Sequence, residues 1–383
     1  MVRPSLPAST PKLTAVLALL AVALVAVFSA RTFRAQHEVE VLHPSPALTR
    51  VFRLSEINPH LAGTPGDTDV YLYEGAGKGG SMLIIGGAHA SEIAGTMTVA
   101  LLVETLRIDA GRVYLIPHSN ASAMTHGEPQ EAHPRRMVFQ TAGGPRAFRF
   151  GARFTNPVHQ WPDPVTYVQP GSGTLLAGAE TRNLNRAYPG VADGNLTERV
   201  AWAITQLIIR QDIDLSFDVH ESSPEYPVIN AIVASETSQD VASIATITLQ
   251  MDGWDFSLEP SPPNFHGLSH REWTDHTHTR PILLETASPV MGRLRGRTDA
   301  ELAVVGKDVQ YVKAARIGAV NVPFDENGIS LERRIARNLA AIAAIVDAFA
   351  TIEPERALVV GGWPAPAARK ESHRRSWFGP GRP

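Results

Sequence analysis

Four short segments of this chain carry the side chains that could do chemistry. Two histidines and a glutamate form the donor set of a catalytic zinc site, in which three protein ligands leave a fourth position for water. An arginine beside an asparagine suits a carboxylate group, and a lone glutamate can act as a general base. In chain order, the segments contain His89 and Glu92, then Arg182, Asn185 and Arg186, then Asp218 and His220, and finally Glu285.

His89 and Glu92 follow a predicted strand over Ser81–Ile85, and Glu92 opens a predicted helix. Side chains three residues apart on a first helical turn can point into one crevice at the carboxyl end of a strand. The same pair could instead cap the helix, with Glu92 favouring its dipole. A second His-x-x-Glu pair, His37 and Glu40, has no strand before it. Spacing alone therefore does not decide between a metal site and a helix cap. The other segments are needed to support the expectation that His89 and Glu92 bind zinc.

His220 closes a strand-like run that begins at Ile213. Asp218 lies two residues earlier, so the two side chains share a face of the strand. A carboxylate there can accept the second imidazole N–H and fix the tautomer that binds metal. The alternative is a strand-end histidine that simply satisfies its polar atoms. Glu221 points to the opposite face, so we leave it out of the predicted ligand set.

Asn185 and Arg186 precede a Tyr-Pro-Gly turn at 188–190. The planar fork of arginine binds a carboxylate bidentately, and asparagine adds a donor, so the pair suits a free carboxylate beside the scissile bond. Arg182 is then available to polarise the carbonyl or to hold a second acid. The alternative is that these arginines form salt bridges on the surface.

Strands alternate with helices along the body of the chain, which predicts an α/β layered fold around a mostly parallel or mixed sheet. Residues 120–180 are rich in Gly, Pro and Arg and predict a long insertion on the substrate side. The histidines at 266, 270, 276 and 278 predict a loop over the site, with His270 or Arg271 at most touching substrate. The predicted strands are Val70–Tyr73, Ser81–Ile85, Val113–Ile116, Ile213–Val219, Val228–Val233 and Pro281–Leu284, and the predicted helices are Glu92–Leu106, Thr197–Arg210, Val241–Met251 and Leu331–Phe349.

Composition excludes several classes of function. The chain has 383 residues, a formal net charge of -3 and no long basic stripe, so we expect no nucleic-acid partner. Cysteine is absent, which excludes disulfides, thiolate nucleophiles and cysteine-bound metals. Any metal must therefore sit on histidines and carboxylates. The oligomeric state stays open.

The N-terminal part predicts a membrane helix. Leu13–Ala30 is an uncharged, almost wholly apolar run of 18 residues with basic residues on both flanks. That length is near the minimum for a membrane span and long for a signal-peptide core. We expect an uncleaved signal anchor that leaves the body outside the cytoplasm. A cleaved signal peptide, giving a secreted or periplasmic protein, and a buried helix are the alternatives.

Four motifs together are similar to the succinylglutamate desuccinylase/aspartoacylase family, a branch of the zinc carboxypeptidase superfamily. They are His89-x-x-Glu92, the string Asn-Leu-Asn-Arg-Ala-Tyr-Pro-Gly at 183–190, Asp218-Val-His220, and Glu285. The resemblance spans roughly residues 65–290. It implies a three-layer α/β/α fold with a central mixed sheet, zinc on His89, Glu92 and His220, a substrate carboxylate on Asn185 and Arg186, and Glu285 as general base.

Two departures from the family bear on the substrate. The chain has Ala90-Ser91 where the family commonly has Gly-Asn, so the backbone there must avoid a glycine-only conformation. After residue 290 the pattern is helical, in place of the small C-terminal β-domain that narrows the site of typical deacylases. We therefore expect a cleft open enough for a peptide.

These observations divide the chain into a flank at 1–12, the membrane helix at 13–30, a linker at 31–48, a zinc hydrolase domain at 49–350 and a tail without regular structure at 361–383. We expect a zinc-dependent amidohydrolase that cleaves an amide bond next to a carboxylate, as in deacylation of an N-acyl amino acid. One alternative is a membrane-anchored metallocarboxypeptidase that acts on peptides outside the cytoplasm, cell-wall peptides included. The other is a catalytically silent binding domain.

Overall fold

The computed structural model describes residues 11–127, 135–141 and 143–364. The chain divides into two compact units, Met1–Glu40 and Val41–Pro383. Residues 1–10 of the predicted flank and residues 365–383 of the predicted tail lie outside the described part.

The described part of the first unit contains one long helix, α1 (Pro11–His37). Its most apolar window has a mean hydropathy of 2.7 and is not buried at all. The helix extends beyond the apolar run Leu13–Ala30 at both ends. Its length and composition are sufficient for a membrane span, and a signal sequence has the same features.

The second unit alternates strands and helices as predicted. The strands are β1 (Arg50–Arg53), β2 (Asp69–Glu74), β3 (Gly77–Gly86), β4 (Arg107–Ile116), β5 (Arg136–Thr141), β6 (Gly144–Arg149), β7 (Thr166–Val168), β8 (Leu175–Ala177), β9 (Leu215–Ser222), β10 (Ala231–Ala234), β11 (Ser257–Pro260), β12 (Arg280–Ala287) and β13 (Val359–Gly361). The helices are α2 (Ile93–Thr105), α3 (Leu184–Ala187), α4 (Leu196–Arg210), α5 (Gln239–Met251), α6 (Ser269–His276), α7 (Ala300–Val305), α8 (Val309–Arg316) and α9 (Leu331–Ile352).

One mixed sheet forms the centre of this unit. Its strands follow the order β1-β2-β4-β3-β9-β12-β10-β11, and β13 pairs with β4. The four central strands β4, β3, β9 and β12 are parallel to one another, whereas β2 and β10 run antiparallel to them on either side. The hairpins β5-β6 and β7-β8 lie apart from this sheet, inside the predicted insertion.

Helices cover both faces of the sheet. In β3, Met82 and Ile84 pack into a core with residues of α2, α5 and α9, while Leu83 and Ile85 pack into a second core with residues of α4 and with Trp273 of α6. Alternate residues of a strand point to opposite faces, so this pattern requires a helical layer on each side. The three-layer α/β/α fold with a central mixed sheet is confirmed.

Several boundaries differ from the sequence predictions, among them those of β3 and β4, which begin at Gly77 and Arg107 rather than at Ser81 and Val113. Strand β10 begins at Ala231 rather than Val228, and Gly361, the predicted start of the tail, belongs to β13. The segment predicted as a loop over the site contains α6, because Trp273 packs into the second core and holds the segment as a helix. The helical pattern after residue 290 is confirmed by α7, α8 and α9.

Candidate active site

The parallel strands bring the predicted site residues to one edge of the sheet. His89 and Glu92 lie between β3 and α2, at the carboxyl end of β3. His220 and Glu285 are paired neighbours in the register of β9 and β12. Parallel strands present their carboxyl ends on the same side, where clefts of α/β proteins form. Residues almost 200 positions apart in the sequence therefore meet at this edge of the sheet.

Two glycines allow the backbone to place the histidine and glutamate. Gly87 has a φ of +72°, a left-handed conformation that favours glycine, and it makes the turn before His89. A Cβ on Gly95 would lie 2.2 Å from the carbonyl oxygen of Val219, so only glycine lets α2 approach β9 this closely. Ala90 and Ser91, which lie between His89 and Glu92, do not have a positive φ.

His89, Glu92 and His220 form a tight buried cluster. The Nδ1 atom of His89 lies 2.6 Å from Oε1 of Glu92, and the Nδ1 atom of His220 lies 2.8 Å from Oε2 of Glu92. One ligand atom from each of the three residues lies within 4.8 Å of the others. All three side chains are at most 3% exposed.

The outer nitrogens of both imidazoles bond to oxygens that can only accept. The Nε2 atom of His89 lies 2.9 Å from Oδ1 of Asn183, an oxygen that also accepts the backbone N–H of Asn185. The Nε2 atom of His220 lies 2.8 Å from Oδ2 of Asp218. Each Nε2 must therefore donate, so the Nδ1 atoms, which face Glu92, are the positions open to a proton or a metal ion.

Burial and neighbouring charges shift the pKa values of all three residues. Burial lowers the pKa of His89, with Arg153 acting in the same direction. Burial opposes the charged forms of Glu92 and His220 too, but it is outweighed at Glu92 by the charges of His89 and His220, and at His220 by the charges of Asp218 and Glu92. The pKa of Glu92 is therefore held well below its ordinary value, and the pKa of His220 well above it, with Asp218 contributing to the latter.

This donor set fits zinc. Two Nδ1 lone pairs and a carboxylate converge on one point, and they repel one another unless a proton or a metal ion lies between them. Two imidazoles and a carboxylate are the ligand set of many catalytic zinc sites, and their outer N–H groups are commonly held by oxygens as they are here. His89, Glu92 and His220 are thus the residues that could hold a metal.

Glu285 lies beside the cluster without a described partner for one of its oxygens. Its Oε2 atom is buried and has no hydrogen-bond partner among the described residues. Burial raises the pKa of Glu285 to about 8, and the nearby positive charges of His220 and Arg153 only partly oppose this. A carboxylate with such a pKa is able to exchange protons at neutral pH.

Asn185 and Arg186 lie near these residues. The backbone N–H of Ser269 donates to Oδ1 of Asn185 over 2.8 Å, which turns the Asn185 amide nitrogen towards His220 at 3.5 Å from Nε2. Asn185 therefore offers a donor at the site. The pKa of Arg186 is lowered by burial and by the charge of Arg153, and Glu285 acts on it in the opposite direction.

Arg182, predicted to act on the carbonyl, is engaged elsewhere. Its Nε and Nη2 atoms donate to both oxygens of Asp163 over 2.7 and 2.9 Å, Nη1 donates to the carbonyl of Thr155, and the guanidinium stacks on Phe154. The side chain is only 12% exposed. These contacts bind Arg182 to residues of the insertion.

Arg153 is a site residue that the sequence analysis missed. Its Nη1 atom lies 3.4 Å from Nδ1 of His89 and 3.5 Å from Oε1 of Glu92, and the side chain is 35% exposed. The N–H of Ala90 donates to the carbonyl of Ala152, and the N–H of Gly151 donates to the carbonyl of Ala90. This pairing brings the insertion against the histidine turn, and no local motif around Arg153 indicates it.

The histidine-rich segment contributes one further residue to the site. Neither ring nitrogen of His270 has a hydrogen-bond partner among the described residues, and burial lowers the pKa of His270 to about 3, so the imidazole is neutral. Arg271 instead pairs with Glu236 and Asp275. His266, Glu272 and Asp275 form a second group with metal-ligand types, but Arg271 already neutralises Asp275 there.

Several proteins of known structure are similar to this chain. A succinylglutamate desuccinylase from Silicibacter sp. TM1040 has 16% identity and a TM-score of 0.36, over 59% of this chain and 55% of that one. An aspartoacylase family protein from Mesorhizobium loti has 17% identity and a TM-score of 0.37, over 65% of each chain. A metallo-carboxypeptidase from Burkholderia cenocepacia has 15% identity and a TM-score of 0.46, over 85% of this chain and 69% of that one.

The first two of these matches span less than two thirds of the length of the similar proteins. A succinylglutamate desuccinylase, an aspartoacylase family protein and a carboxypeptidase are the kinds of protein that the sequence resemblance names. No protein-family model and no curated protein sequence matches this chain.

Proposed function

We propose that this chain is a zinc-dependent hydrolase that cleaves an amide bond next to a carboxylate group, as in deacylation of an N-acyl amino acid. One observation carries the proposal: the Nδ1 atoms of His89 and His220 converge on the carboxylate of Glu92 while both Nε2 atoms donate to oxygens. That arrangement needs a proton or a metal ion between the three groups, and we propose that zinc takes this place in the active protein. Zinc bound there supplies a Lewis acid and a nucleophile at neutral pH.

Glu285 is the proposed general base. It lies next to His220 in the sheet and has a buried oxygen free to accept the proton of the attacking water. The same carboxyl group can then pass that proton to the leaving amine. The cation expected at the cluster would lower the pKa of Glu285 from its value of about 8, because a nearby positive charge favours the carboxylate.

Arg186 and Arg153 have different proposed roles. Arg186, with the amide nitrogen of Asn185, holds the substrate carboxylate in the position set by the Ser269 hydrogen bond. Arg153 lies against His89 and Glu92, so its guanidinium is placed to stabilise negative charge on the carbonyl oxygen. We assign this role to Arg153 rather than to Arg182, because Asp163 already holds Arg182.

A carboxypeptidase that trims peptides outside the cytoplasm, cell-wall peptides included, is the second candidate. Within residues 288–364, which the structure describes, the chain forms α7, α8, α9 and the three-residue strand β13. This stretch contains no β-domain that could narrow the crevice, and that favours a substrate larger than an acyl amino acid. The apolar N-terminal helix is consistent with a protein that acts outside the cytoplasm.

Metal content of the full-length chain, purified in mild detergent, tests the proposal. We expect about one zinc per chain by mass spectrometry, and loss of that zinc in the His89→Ala, His220→Ala double variant. The zinc-loaded protein is then assayed on N-acyl amino acids and on peptides with a free C-terminus. Faster turnover of the peptides would favour the second candidate.

Glu285→Gln separates catalysis from metal binding. We expect this variant to keep its zinc and to lose turnover by about 10²-fold or more, because the proton acceptor is gone. Loss of zinc together with activity would refute the assignment of Glu285 as base. A parent protein that binds no zinc after reconstitution would refute the hydrolase proposal and leave a binding domain.

A further inference from the structure

Glu92 begins helix α2 but does not cap it. It is the N-cap residue by position, yet its side chain makes no hydrogen bond to the backbone of the first turn. Both carboxylate oxygens face the imidazoles of His89 and His220 instead. The first N–H groups of a helix have no partner within the helix, and leaving one buried without an acceptor is costly. Another group must therefore cap α2.

Glu221, next to His220 on β9, does so from outside the helix. Its Oε2 atom accepts the backbone N–H of Ala94 over 2.9 Å, and its negative charge lies at the positive end of the α2 dipole. Its own backbone N–H donates to Oε2 of Glu92 over 3.1 Å. Glu221 thus bonds to the helix that carries Glu92 and to the Glu92 carboxylate.

Arg334 on α9 holds the other oxygen of Glu221. Its Nη1 atom lies 2.6 Å from Oε1 of Glu221 and also donates to the hydroxyl of Ser288, while Nη2 donates to the carbonyl of Ala303. Both side chains of the pair are completely buried. Arg334 neutralises a second carboxylate that would otherwise lie uncompensated beside Glu92.

We infer that Glu221 is a positioning residue for the metal ligand Glu92: it caps α2 in place of Glu92 and so leaves the Glu92 carboxylate free to bind zinc. Without this cap, the unpaired N–H of Ala94 would compete with zinc for the Glu92 carboxylate. The pair Glu221–Arg334 would then link the C-terminal helix α9 to the metal centre. This inference rests on the proposed zinc site.

Two double variants isolate the cap. Glu221→Gln with Arg334→Met removes both charges but keeps an amide oxygen that accepts the Ala94 N–H. Glu221→Met with Arg334→Met removes the charges and that oxygen, with a side chain of nearly the same volume. Replacing a buried ion pair by groups of similar volume is usually tolerated, so we expect both variants to fold.

Zinc affinity of the full-length chain in detergent, measured by competition with a chelator, is the readout. We expect the Gln/Met variant to stay within about threefold of the parent and the Met/Met variant to bind zinc about 10- to 100-fold more weakly. Unfolding temperatures of the zinc-free proteins are measured alongside. Equal affinities in the two variants, whatever their stabilities, would overturn the inference. Absence of zinc in the parent would instead overturn the proposed function.

Discussion

The two histidines of the candidate metal site are held by unequal partners. His220 donates to the carboxylate of Asp218, which also accepts the hydroxyl of Ser269 over 2.6 Å. His89 donates to the neutral amide of Asn183, whose nitrogen in turn donates to Glu180 over 2.7 Å. A carboxylate raises the basicity of the imidazole that it holds more than an amide does. We therefore expect the Nδ1 lone pair of His220 to bind a metal ion more strongly than that of His89. A sequence motif does not reveal this difference.

At the same scale, Glu285 makes the stability of the zinc-free protein depend on pH. Its pKa of about 8 in the folded chain is above the ordinary value of 4.5, because burial disfavours the charged form. The folded state therefore binds this proton more tightly than the unfolded state, and Glu285 costs stability as the pH rises from about 4.5 towards 8. Glu285→Gln, which cannot ionise, should unfold at a higher temperature than the parent at pH 9, by about 2 °C or more, and at a similar temperature at pH 4.

Calorimetry of zinc-free protein measures this effect, with Glu355→Gln as the matched control on an exposed side chain. The control should leave the pH dependence unchanged. A parent and a Glu285→Gln variant that unfold at the same temperature at pH 9 would show that Glu285 is not buried as described.

At the scale of elements, Arg153 of the insertion and Arg182, which follows it, have distinct expected effects. Arg153→Ala should keep zinc and lower kcat by about 10²- to 10³-fold, because it removes a donor for the developing oxyanion. Arg182→Ala should lower the unfolding temperature, since it leaves Asp163 without its bidentate partner, and it should change kcat far less. Steady-state kinetics and metal content of both variants decide between the two arginines. If folded Arg182→Ala lost more kcat than Arg153→Ala, Arg182 rather than Arg153 would be the residue that acts on the substrate carbonyl.

The elements that position the ligands could be predicted because each has a strong local pattern. The apolar run Ser81–Ile85 predicts β3, and helical spacing after Glu92 predicts α2. The hairpins of the insertion could not be predicted, since β7 and β8 have three residues each and pack outside the main sheet. Arg153 reaches the site because its neighbours Gly151 and Ala152 pair with the backbone of Ala90, a contact between distant segments that local periodicity does not encode.

At the scale of the whole molecule, two helices of the described residues have the length and apolar composition of a membrane span, and burial distinguishes them. Helix α9 has a window of mean hydropathy 1.6 that is 61% buried, and it carries the buried Arg334 and Asn338. Asn338 accepts the hydroxyl of Thr286 and donates to Thr98. These polar partners lie within the folded unit, so α9 is a core helix. Helix α1 has no buried part in its apolar window, which leaves it as the candidate anchor.

We propose that α1 stays attached and anchors the enzyme with its catalytic unit outside the cytoplasm. Its 27 residues extend about 40 Å, more than the roughly 30 Å of hydrocarbon in a bilayer. Membranes from cells that produce the full chain should therefore retain it after alkaline extraction, at full length. Protease added to spheroplasts should digest the catalytic unit, whereas a cytoplasmic control protein should survive. A shortened, extractable protein would indicate a cleaved signal peptide, and a protected catalytic unit would place the site in the cytoplasm and exclude cell-wall peptides as substrates.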